Sequence, residues 1–383
     1  MDALSAPLAD AGDATPKPRA RDLGIPFDGV PGKFNAITDV DGVLVGQTTL
    51  ISGSGKLKVG EGPVRTGVTA ILPRGPSSIE RFSYAGWFAE NGNGEMTGTT
   101  WVEESGFLEG PVMITNTHSV GVVRDAVIAW RVKRGPADST GAWWSLPVVA
   151  ETWDGWLNDI NGFHVKPEHV FQALDSARSG AVQEGNVGGG TGMICNGYKG
   201  GIGTASRKLD ASEGGYTLGV LVQCNYGTRA NLRVAGIPVG AEIYGEDPYA
   251  FVPSDIQERG SIIVVVATDA PLLPHQLKRI ARRVSLGLGR AGSTAGNGSG
   301  DIFIAFSTAN PEASSATPVA TVKMMSNNSL DSLFAATVQA TEEAVVNALI
   351  AADDMTGIDD HHVTALNHAK LREVLAKHNR LLH

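Results

Sequence analysis

Short apolar runs, separated by polar stretches rich in glycine, dominate the chain after residue 33. Runs of this length that are rich in Val, Ile and Leu are typical of strands buried on both faces of a sheet. They predict strands at Val68–Leu72, Val112–Thr115, Thr217–Gln223, Ile262–Thr268 and Ile302–Ser307. The predicted sheets are therefore interior layers.

Apolar residues at helical spacing predict helices at Val120–Val132, after Pro274, and from about Asn328 onward. The helix after Pro274 should be continuous, and its predicted buried face consists of Leu273, Leu277, Ile280, Val284 and Leu288. In the last helix Asn328 and Asp331 are placed for capping, and its predicted buried face consists of Leu330, Phe334, Val338, Val345 and Leu349. Without a repeat or a long linker, the pattern predicts one mixed α/β body at residues 33–383, with helices outside stacked sheets.

Charge and hydropathy exclude two classes of protein. The chain has 383 residues, with 31 Lys+Arg against 40 Asp+Glu and a net charge of −9, which disfavours binding to nucleic acid. No apolar run approaches the roughly 18 residues that span a bilayer, so no membrane segment is expected.

Residues 1–32 have no apolar segment of the kind found in signal peptides, and we expect them to form a flexible arm. Two cysteines without CxxC spacing are too few for a disulfide framework, so a reducing, cytoplasmic location is predicted.

Glycine is the compositional outlier, with 48 residues in 383, close to twice the roughly 7% that is usual. The excess suggests phosphate loops, but spacing excludes them. In ISGSGKLK the first glycine of a P-loop is replaced by Leu50, and the segment from Gly185 to Met193 contains no GxGxxG. The sequence also lacks HExxH and GxSxG. We therefore expect neither a cofactor nor a metal site.

Polar residues at strand ends are the remaining candidates for chemistry. Gly260 and Ser261 directly precede one predicted strand, Ser299 and Asp301 precede another, and Asn225 ends a third. Each has an ordinary structural interpretation as a strand-end residue. If the three strands are neighbours, however, two hydroxyls, a carboxylate and an amide converge, which is the composition of a hydrolase site.

These residues lie in segments that resemble the DmpA and BapA type of self-processing aminopeptidases, whose nucleophile is an N-terminal serine. The resemblance covers nearly the whole chain, and its most specific segments are GNVGGGTGMICNGYKGGIGTASR from Gly185 and RGSIIVVVATDAPLLPHQL from Arg259. It implies a four-layer αββα sandwich with the N-terminal nucleophile fold, and assembly into a homo-oligomer, a tetramer of αβ units.

The resemblance further implies that the chain cuts its own Gly260–Ser261 bond, giving an α chain of residues 1–260 and a β chain of residues 261–383. Ser261 would then supply both the nucleophilic hydroxyl and a base, because a free α-amino group titrates near ~7.7 to 8.0. By resemblance, Ser299 and Asp301 contact that amine and Asn225 donates to the oxyanion. Many relatives have glutamate in place of Asp301, so the carboxylate here is carried on a shorter side chain.

Glu151 matches the family residue that pairs with the amino group of the substrate. Two positions on, Trp153 stands where the D-esterase branch has a tyrosine, which favours the β-peptide-cleaving branch. The expected substrates are small peptides or amino acid amides with a free amino terminus. Three alternatives stay open at this point: an L-aminopeptidase D-esterase/amidase, an amide-oligomer hydrolase of the nylon type, and a non-catalytic binding protein.

Overall fold

The computed structural model describes residues 17–134, 144–243, 248, 260–315 and 317–382. The strands are β1 Leu44–Ser52, β2 Val64–Pro76, β3 Ser83–Ala89, β4 Phe107–Leu108, β5 Val112–Asn116, β6 Val148–Thr152, β7 Ile194–Cys195, β8 Tyr198–Lys199, β9 Gly201–Lys208, β10 Thr217–Asn225, β11 Ser261–Thr268, β12 Gly300–Ser307, β13 Met355–Thr356 and β14 His362–Val363. The α-helices are α1 Thr99–Ser105, α2 Val120–Arg134, α3 Pro167–Asp175, α4 Val239–Glu242, α5 Pro274–Ala281, α6 Val284–Arg290, α7 Asp331–Ile350 and α8 His368–Lys377.

Two large sheets form the centre of the protein. One has four strands in the order β1-β2-β5-β6, and the other has six in the order β4-β3-β12-β11-β10-β9. In the larger sheet β11 runs parallel to β12 and antiparallel to β10. The start of β11 therefore lies beside the start of β12 and the end of β10.

The two faces of β11 show why its apolar run is continuous. Ile262, Val264 and Val266 belong to a core shared with α5, α6 and α7, whereas Ile263 and Val265 belong to a core between the two sheets. A third core lies between the smaller sheet and helices α2 and α3. The predicted αββα sandwich is confirmed, since both sheets are covered by helices on their outer faces.

Close approach of α7 to the larger sheet depends on a glycine of β9. A Cβ on Gly203 would lie 2.0 Å from the carbonyl oxygen of Ala344 and 2.7 Å from the amide nitrogen of Ala348. Distances this short exclude any side chain at this position. The helix presents small residues, Ala336, Ala340 and Ala344, to the sheet, and these differ from the predicted face, in which Phe334 and Val338 are only half-buried.

Two helix predictions are wrong in detail. The helix after Pro274 is interrupted between Ala281 and Val284, where Arg283 turns back to donate to the Arg279 carbonyl (3.2 Å) and lies over the Phe334 ring. The last helix begins at Asp331 with Leu330 as its N-cap, so neither Asn328 nor Asp331 caps it through a side chain.

The N-terminal segment also differs from the expected arm. Residues 1–16 lie outside the described residues, but residues 17–32 pack against the body of the protein. Ala20 and Ile25 are fully buried, and Arg19 Nε lies 2.7 Å from Glu184 Oε2. This described part of the predicted arm is docked, because its apolar residues extend the core beneath α7.

Cys195 and Cys224 form a disulfide that joins β7 to β10. The two cysteines are 29 residues apart in sequence, so no short sequence motif predicts the bond. It removes the cysteine argument for a reducing compartment, and the cytoplasmic location stays a prediction. Within the described residues, none of the helices is both long enough and apolar enough to cross a bilayer.

Candidate active site

The order of the strands brings two of the predicted residues side by side, next to the glycine that separates two others, Ser299 and Asp301. Across β10, β11 and β12, Asn225 pairs with Ser261, and Ser261 pairs with Gly300. Ser261 is 5% exposed at this end of the sheet. The strand-end residues singled out from sequence therefore converge, because β11 has both β10 and β12 as neighbours.

The hydroxyl of Ser261 lies beside the bond that resemblance marks for cleavage. The backbone N–H of Gly300 donates both to Ser261 Oγ (3.2 Å) and to the carbonyl oxygen of Gly260 (3.3 Å). A Cβ on Gly260 would lie 2.4 Å from the Asn225 carbonyl oxygen and 2.5 Å from Tyr226 Cα. Only glycine fits at position 260 without displacing the end of β10.

Ser299 and Asp301 are hydrogen-bonded to each other, with Ser299 Oγ donating to Asp301 Oδ1 (2.6 Å). Burial raises the pKa of Asp301 to about 6, while the bond from Ser299 and the backbone N–H of Ile262 oppose the rise. The charge of Glu90 adds to the rise. The carboxylate thus lies near the backbone nitrogen of Ile262, the second residue of β11, and Asp301 pairs with Ile262 in the sheet.

The side-chain amide of Asn225 is held at both ends. Its Oδ1 accepts from the backbone N–H of Ile194 (2.7 Å), and its Nδ2 donates to the carbonyl oxygen of Trp153 (3.0 Å). An amide nitrogen carries two hydrogens, and the bond to Trp153 uses one of them. The orientation of the second N–H is therefore set by the contacts of the first and of the oxygen.

Trp153 participates in the site through its backbone as well as its ring. Its carbonyl orients Asn225, and its indole folds over Gly155, where a Cβ would lie 2.7 Å from the ring. Sequence reasoning assigned only the side chain to the pocket. The backbone contact with Asn225 has no signal in the sequence, because it joins the residue after β6 to β10, which belongs to the other sheet.

Glu151 reaches the site from the smaller sheet. It lies in β6, an edge strand, and is 3% exposed. Its Oε1 accepts from the backbone N–H of Glu95 (2.9 Å), and its Oε2 accepts from Thr117 Oγ1. Burial raises the pKa of Glu151, and these two hydrogen bonds oppose the rise.

Gly94 links the carboxylate of Glu151 to the strand beside Ser261. A Cβ on Gly94 would lie 3.3 Å from Glu151 Oε1 and 3.1 Å from Gly300 Cα. Glu151, Gly300 and Ser261 therefore line one end of the space between the sheets. All seven residues singled out from sequence, Glu151, Trp153, Asn225, Gly260, Ser261, Ser299 and Asp301, are described and lie at this end.

Sequence reasoning missed the segment that follows β3 and the residue that follows β5. Asn91 Nδ2 donates to Asp301 Oδ2 (3.4 Å), Asn93 Nδ2 donates to the Gly298 carbonyl (2.8 Å), and Thr117 donates to Glu151. The string ENGNGE from Glu90 is typical of a turn. Thr117 follows a buried strand, a position like that of Asn225 at the end of its strand, and could have been found in that way.

A buried lysine supports the glycine-rich segment next to Asn225. Lys199 Nζ donates to the carbonyl oxygens of Met193 (2.7 Å) and Gly200 (2.9 Å), and burial lowers its pKa to about 7. Met193 precedes Ile194, whose N–H holds Asn225. Across the described residues there is no group of three or more His, Cys, Asp and Glu side chains arranged to hold a metal ion.

Comparison with known proteins places this geometry in context. The profile of Peptidase family S58 matches residues 35–363. A protein named beta-peptidyl aminopeptidase BapA from Sphingosinicella microcystinivorans is 56% identical, with 99% of this chain and 97% of that protein covered. A second protein of that name, from Sphingosinicella xenopeptidilytica, is 48% identical over 94% of this chain and 91% of its own length.

Among solved structures, the L-aminopeptidase D-Ala-esterase/amidase from Ochrobactrum anthropi superposes with a TM-score of 0.89 at 52% identity. The match covers 96% of this chain and all of that one, and the structure is described as a variant of the Ntn hydrolase fold.

Proposed function

Because the chain belongs to peptidase family S58, we propose that it is a self-processing β-peptidyl aminopeptidase whose nucleophile is Ser261. The observation that supports this most directly is the shared donor, the Gly300 N–H, which contacts both Ser261 Oγ and the Gly260 carbonyl. This contact keeps the hydroxyl next to the bond to be cut. Family membership makes the chain a hydrolase of peptide bonds, so the alternative of a non-catalytic binding protein is set aside.

Self-cleavage begins when Ser261 Oγ attacks the carbonyl carbon of Gly260. The Gly300 N–H faces the oxygen on which negative charge develops. The C–N bond then breaks, the nitrogen leaves with the hydroxyl proton as the α-amine of Ser261, and Gly260 is held as an ester. Water hydrolyses the ester, which frees the hydroxyl and leaves Gly260 as a carboxylate.

Turnover uses the amine that cleavage creates. It takes the proton from Ser261 Oγ as the oxygen attacks the substrate carbonyl, and it returns the proton to the leaving amine. In this proposal Asp301, oriented by Ser299, holds the ammonium form, and the second N–H of Asn225 stabilises the oxyanion. Water releases the acyl group and regenerates the free serine.

Glu151 limits attack to the first residue of the substrate. A buried carboxylate is stabilised by a cationic partner, and the ammonium of the substrate supplies one. N-acetylated substrates should therefore react far more slowly than free amines. The β-peptide preference is supported by the names of the two Sphingosinicella relatives and by Trp153. The name of the Ochrobactrum protein supports the alternative, an L-aminopeptidase D-esterase/amidase.

Intact mass tests the nucleophile. On incubation, the 40.0 kDa chain should be replaced by two fragments that match residues 1–260 and 261–383, and Ser261→Ala should stay whole and inactive. Ser54→Ala, at an exposed serine outside the strands, is the matched control and should be processed normally. A wild-type chain that stays whole, or a Ser261→Ala chain that still hydrolyses substrate, overturns the proposal.

A panel of p-nitroanilides tests the substrate class. L-α, D-α and β-homo residues with the same side chain should be compared, each with a free and with an acetylated amine. Fastest turnover of the β-homo substrates supports the β-peptidyl assignment, and fastest turnover of the L-α substrates favours the alternative. Hydrolysis of amides whose free amine is several methylenes away would favour the amide-oligomer hydrolase.

Three broader expectations belong to the same proposal. Residues 33–383 form a single catalytic domain, the processed protein assembles into a homo-oligomer, and it acts in the cytoplasm without a cofactor. Native mass measurement tests the second of these, and fractionation of cells tests the third.

A further inference from the structure

A buried glutamine joins the two large sheets next to the active site. Gln223 lies in β10, two residues before Asn225, and pairs with Ile263 of β11. Its Nε2 donates to the carbonyl oxygen of Thr115 in β5 (2.9 Å) and to Thr152 Oγ1 in β6 (2.8 Å). The side chain is fully buried, so one amide group of the larger sheet holds two strands of the smaller sheet at a point shielded from water.

The two residues that Gln223 contacts are neighbours of Glu151. Thr152 follows Glu151 in β6, and Thr115 lies opposite Glu151 in the parallel pair of β5 and β6. On the other side of the link, β10 pairs with β11, whose first residue is Ser261. Gln223 therefore connects the strand pair that carries the proposed amine anchor to the strand pair that carries the proposed nucleophile.

The orientation of this amide is determined by its partners. A carbonyl oxygen only accepts hydrogen bonds, so the nitrogen of Gln223, rather than its oxygen, must face Thr115. Nε2 uses both of its hydrogens, and Oε1 lies against Gly189, where a Cβ would be 2.2 Å away. Both donors of the side chain are thereby bound to the smaller sheet.

Stability alone does not account for an amide at this position. Leu221, two residues earlier on the same face of β10, belongs to the apolar core between the sheets, as does Ile263. Among the described residues, Oε1 of Gln223 has no hydrogen-bond partner. A buried acceptor without a partner costs free energy, which offsets what the two N–H bonds contribute. An apolar residue of similar size would therefore fill this space at little net cost to the fold.

We infer that Gln223 is a positioning residue: its amide fixes where Glu151 on one sheet stands relative to Ser261 on the other. The inference rests on the proposed function, because it takes Glu151 as the amine anchor and Ser261 as the nucleophile. An anchored substrate must present its carbonyl to the hydroxyl, and misplacement by about 1 Å can cost on the order of 10²-fold in rate. Self-cleavage does not use Glu151, because the carbonyl that is attacked belongs to the chain itself.

The test compares processed Gln223→Met with the processed wild type on one free-amine p-nitroanilide. The value of kcat should fall on the order of 10- to 100-fold with little change in KM, because the substrate still binds at Glu151 and its carbonyl is displaced from Ser261. The rate of self-cleavage, followed by intact mass, should stay near that of the wild type. The urea midpoint should also change little, since the variant loses the unpaired oxygen together with the two N–H bonds.

Leu221→Met is the matched control, because it places the same side chain at a fully buried position on the same face of β10. Its kcat, KM and rate of self-cleavage should equal those of the wild type. Thr152→Val removes one of the two acceptors of Gln223 at nearly constant volume, so kcat should fall by a smaller factor. Its effect should be smaller still when it is combined with Gln223→Met, which already lacks that bond. Thr152→Val keeps the inference testable if Gln223→Met does not fold.

An unchanged kcat in Gln223→Met would mean that Gln223 only fills the core. Equal falls in Leu221→Met, or in the rate of self-cleavage, would mean the same, and each of these results overturns the inference while the proposed function stands. An unchanged kcat in Thr152→Val would overturn it as well. A wild-type protein that stays uncut and is inactive on free-amine substrates overturns the proposed function, and the inference falls with it.

Discussion

The ionisation of Asp301 should control self-cleavage. Burial raises its pKa to about 6, and in the proposed chemistry the carboxylate form stabilises the positive charge that develops on the nitrogen of Ser261 as this nitrogen takes up the hydroxyl proton and the C–N bond breaks. The rate at which the two fragments appear should therefore fall progressively as the pH drops below about 6. Mass spectrometry of samples quenched between pH 4.5 and 8 measures this profile.

The sign of the pKa shift of Asp301 distinguishes a loss of self-cleavage at low pH from unfolding of the protein by acid. Because the folded pKa of about 6 lies above the ordinary 3.8, folding favours the protonated form of Asp301. Protonation of this group therefore does not destabilise the fold, and circular dichroism at pH 5 should match that at pH 7. Asp301→Asn should remove the acid limb and lower the rate at pH 7. A wild-type rate that is constant from pH 5 to 7 would contradict the assignment.

Asn225 should act on the transition state rather than on substrate binding. Asn225→Ala removes one proposed oxyanion donor, so kcat should fall on the order of 10²- to 10³-fold with little change in KM. Thr117→Val offers the contrast, because Thr117 donates to Glu151, the proposed amine anchor, and loss of this bond should mainly raise KM. Steady-state kinetics on one free-amine anilide separates the two. If both variants raised KM equally, Asn225 would act on substrate binding as Thr117 does, and its proposed role in the transition state would be contradicted.

For individual residues, the sequence predicts those that lie at the ends of predicted strands. Ser261, Ser299, Asp301 and Asn225 stand at the ends of apolar runs, and that pattern survives in the structure. Gly94 carries no such signal, since it lies between Glu151 of β6 and Gly300 of β12, which belong to different sheets. A turn-like string of asparagine and glycine looks the same whether it faces solvent or an active site.

The packing of helices on strands depends on close contacts that the pattern of apolar residues does not reveal. Gly203→Ala would place a methyl group 2.0 Å from the Ala344 carbonyl, so α7 would have to move off the larger sheet. We expect a loss of about 1–3 kcal/mol in the free energy of unfolding, the usual effect of overpacking. Urea denaturation followed by fluorescence measures it.

Gly121→Ala is the control for that change. Gly121 is exposed in α2, and a Cβ there would meet nothing within 4 Å, so the helix should gain up to about 1 kcal/mol from the better helix former. If Gly203→Ala were as stable as Gly121→Ala, the close packing of α7 on β9 would not contribute to the free energy of unfolding as proposed.

The predictable elements are those with strong local patterns. The run of β11 is long, branched and buried on both faces, so its sequence is sufficient to predict a strand. The break between α5 and α6 is not predictable, because the apolar spacing continues through it. At the break Arg283 lies over the ring of Phe334, a residue about 50 positions away in the chain, and helical periodicity cannot report a contact of this kind.

For the whole molecule, the proposed cleavage cuts a chain whose two parts are interleaved. Residues 261–383 contribute β11 and β12, the two central strands of the larger sheet, and residues 1–260 contribute β10, β9, β3 and β4 on either side. Arg207 of β9 also pairs with Glu343 of α7, with Nη2 and Oε2 2.8 Å apart and both side chains buried. Separation of the parts would expose all of these surfaces.

The processed protein should therefore behave as one folding unit. Both fragments should coelute under native conditions and separate only in denaturant, with a single cooperative unfolding transition like that of uncut Ser261→Ala. The fragment 261–383 expressed alone should be insoluble, because both outer edges of its strand pair would lack partners. Fragments that separate on a native column would show that the contacts of β11 with β10, and of β12 with β3, do not hold the two parts together once the covalent link is broken.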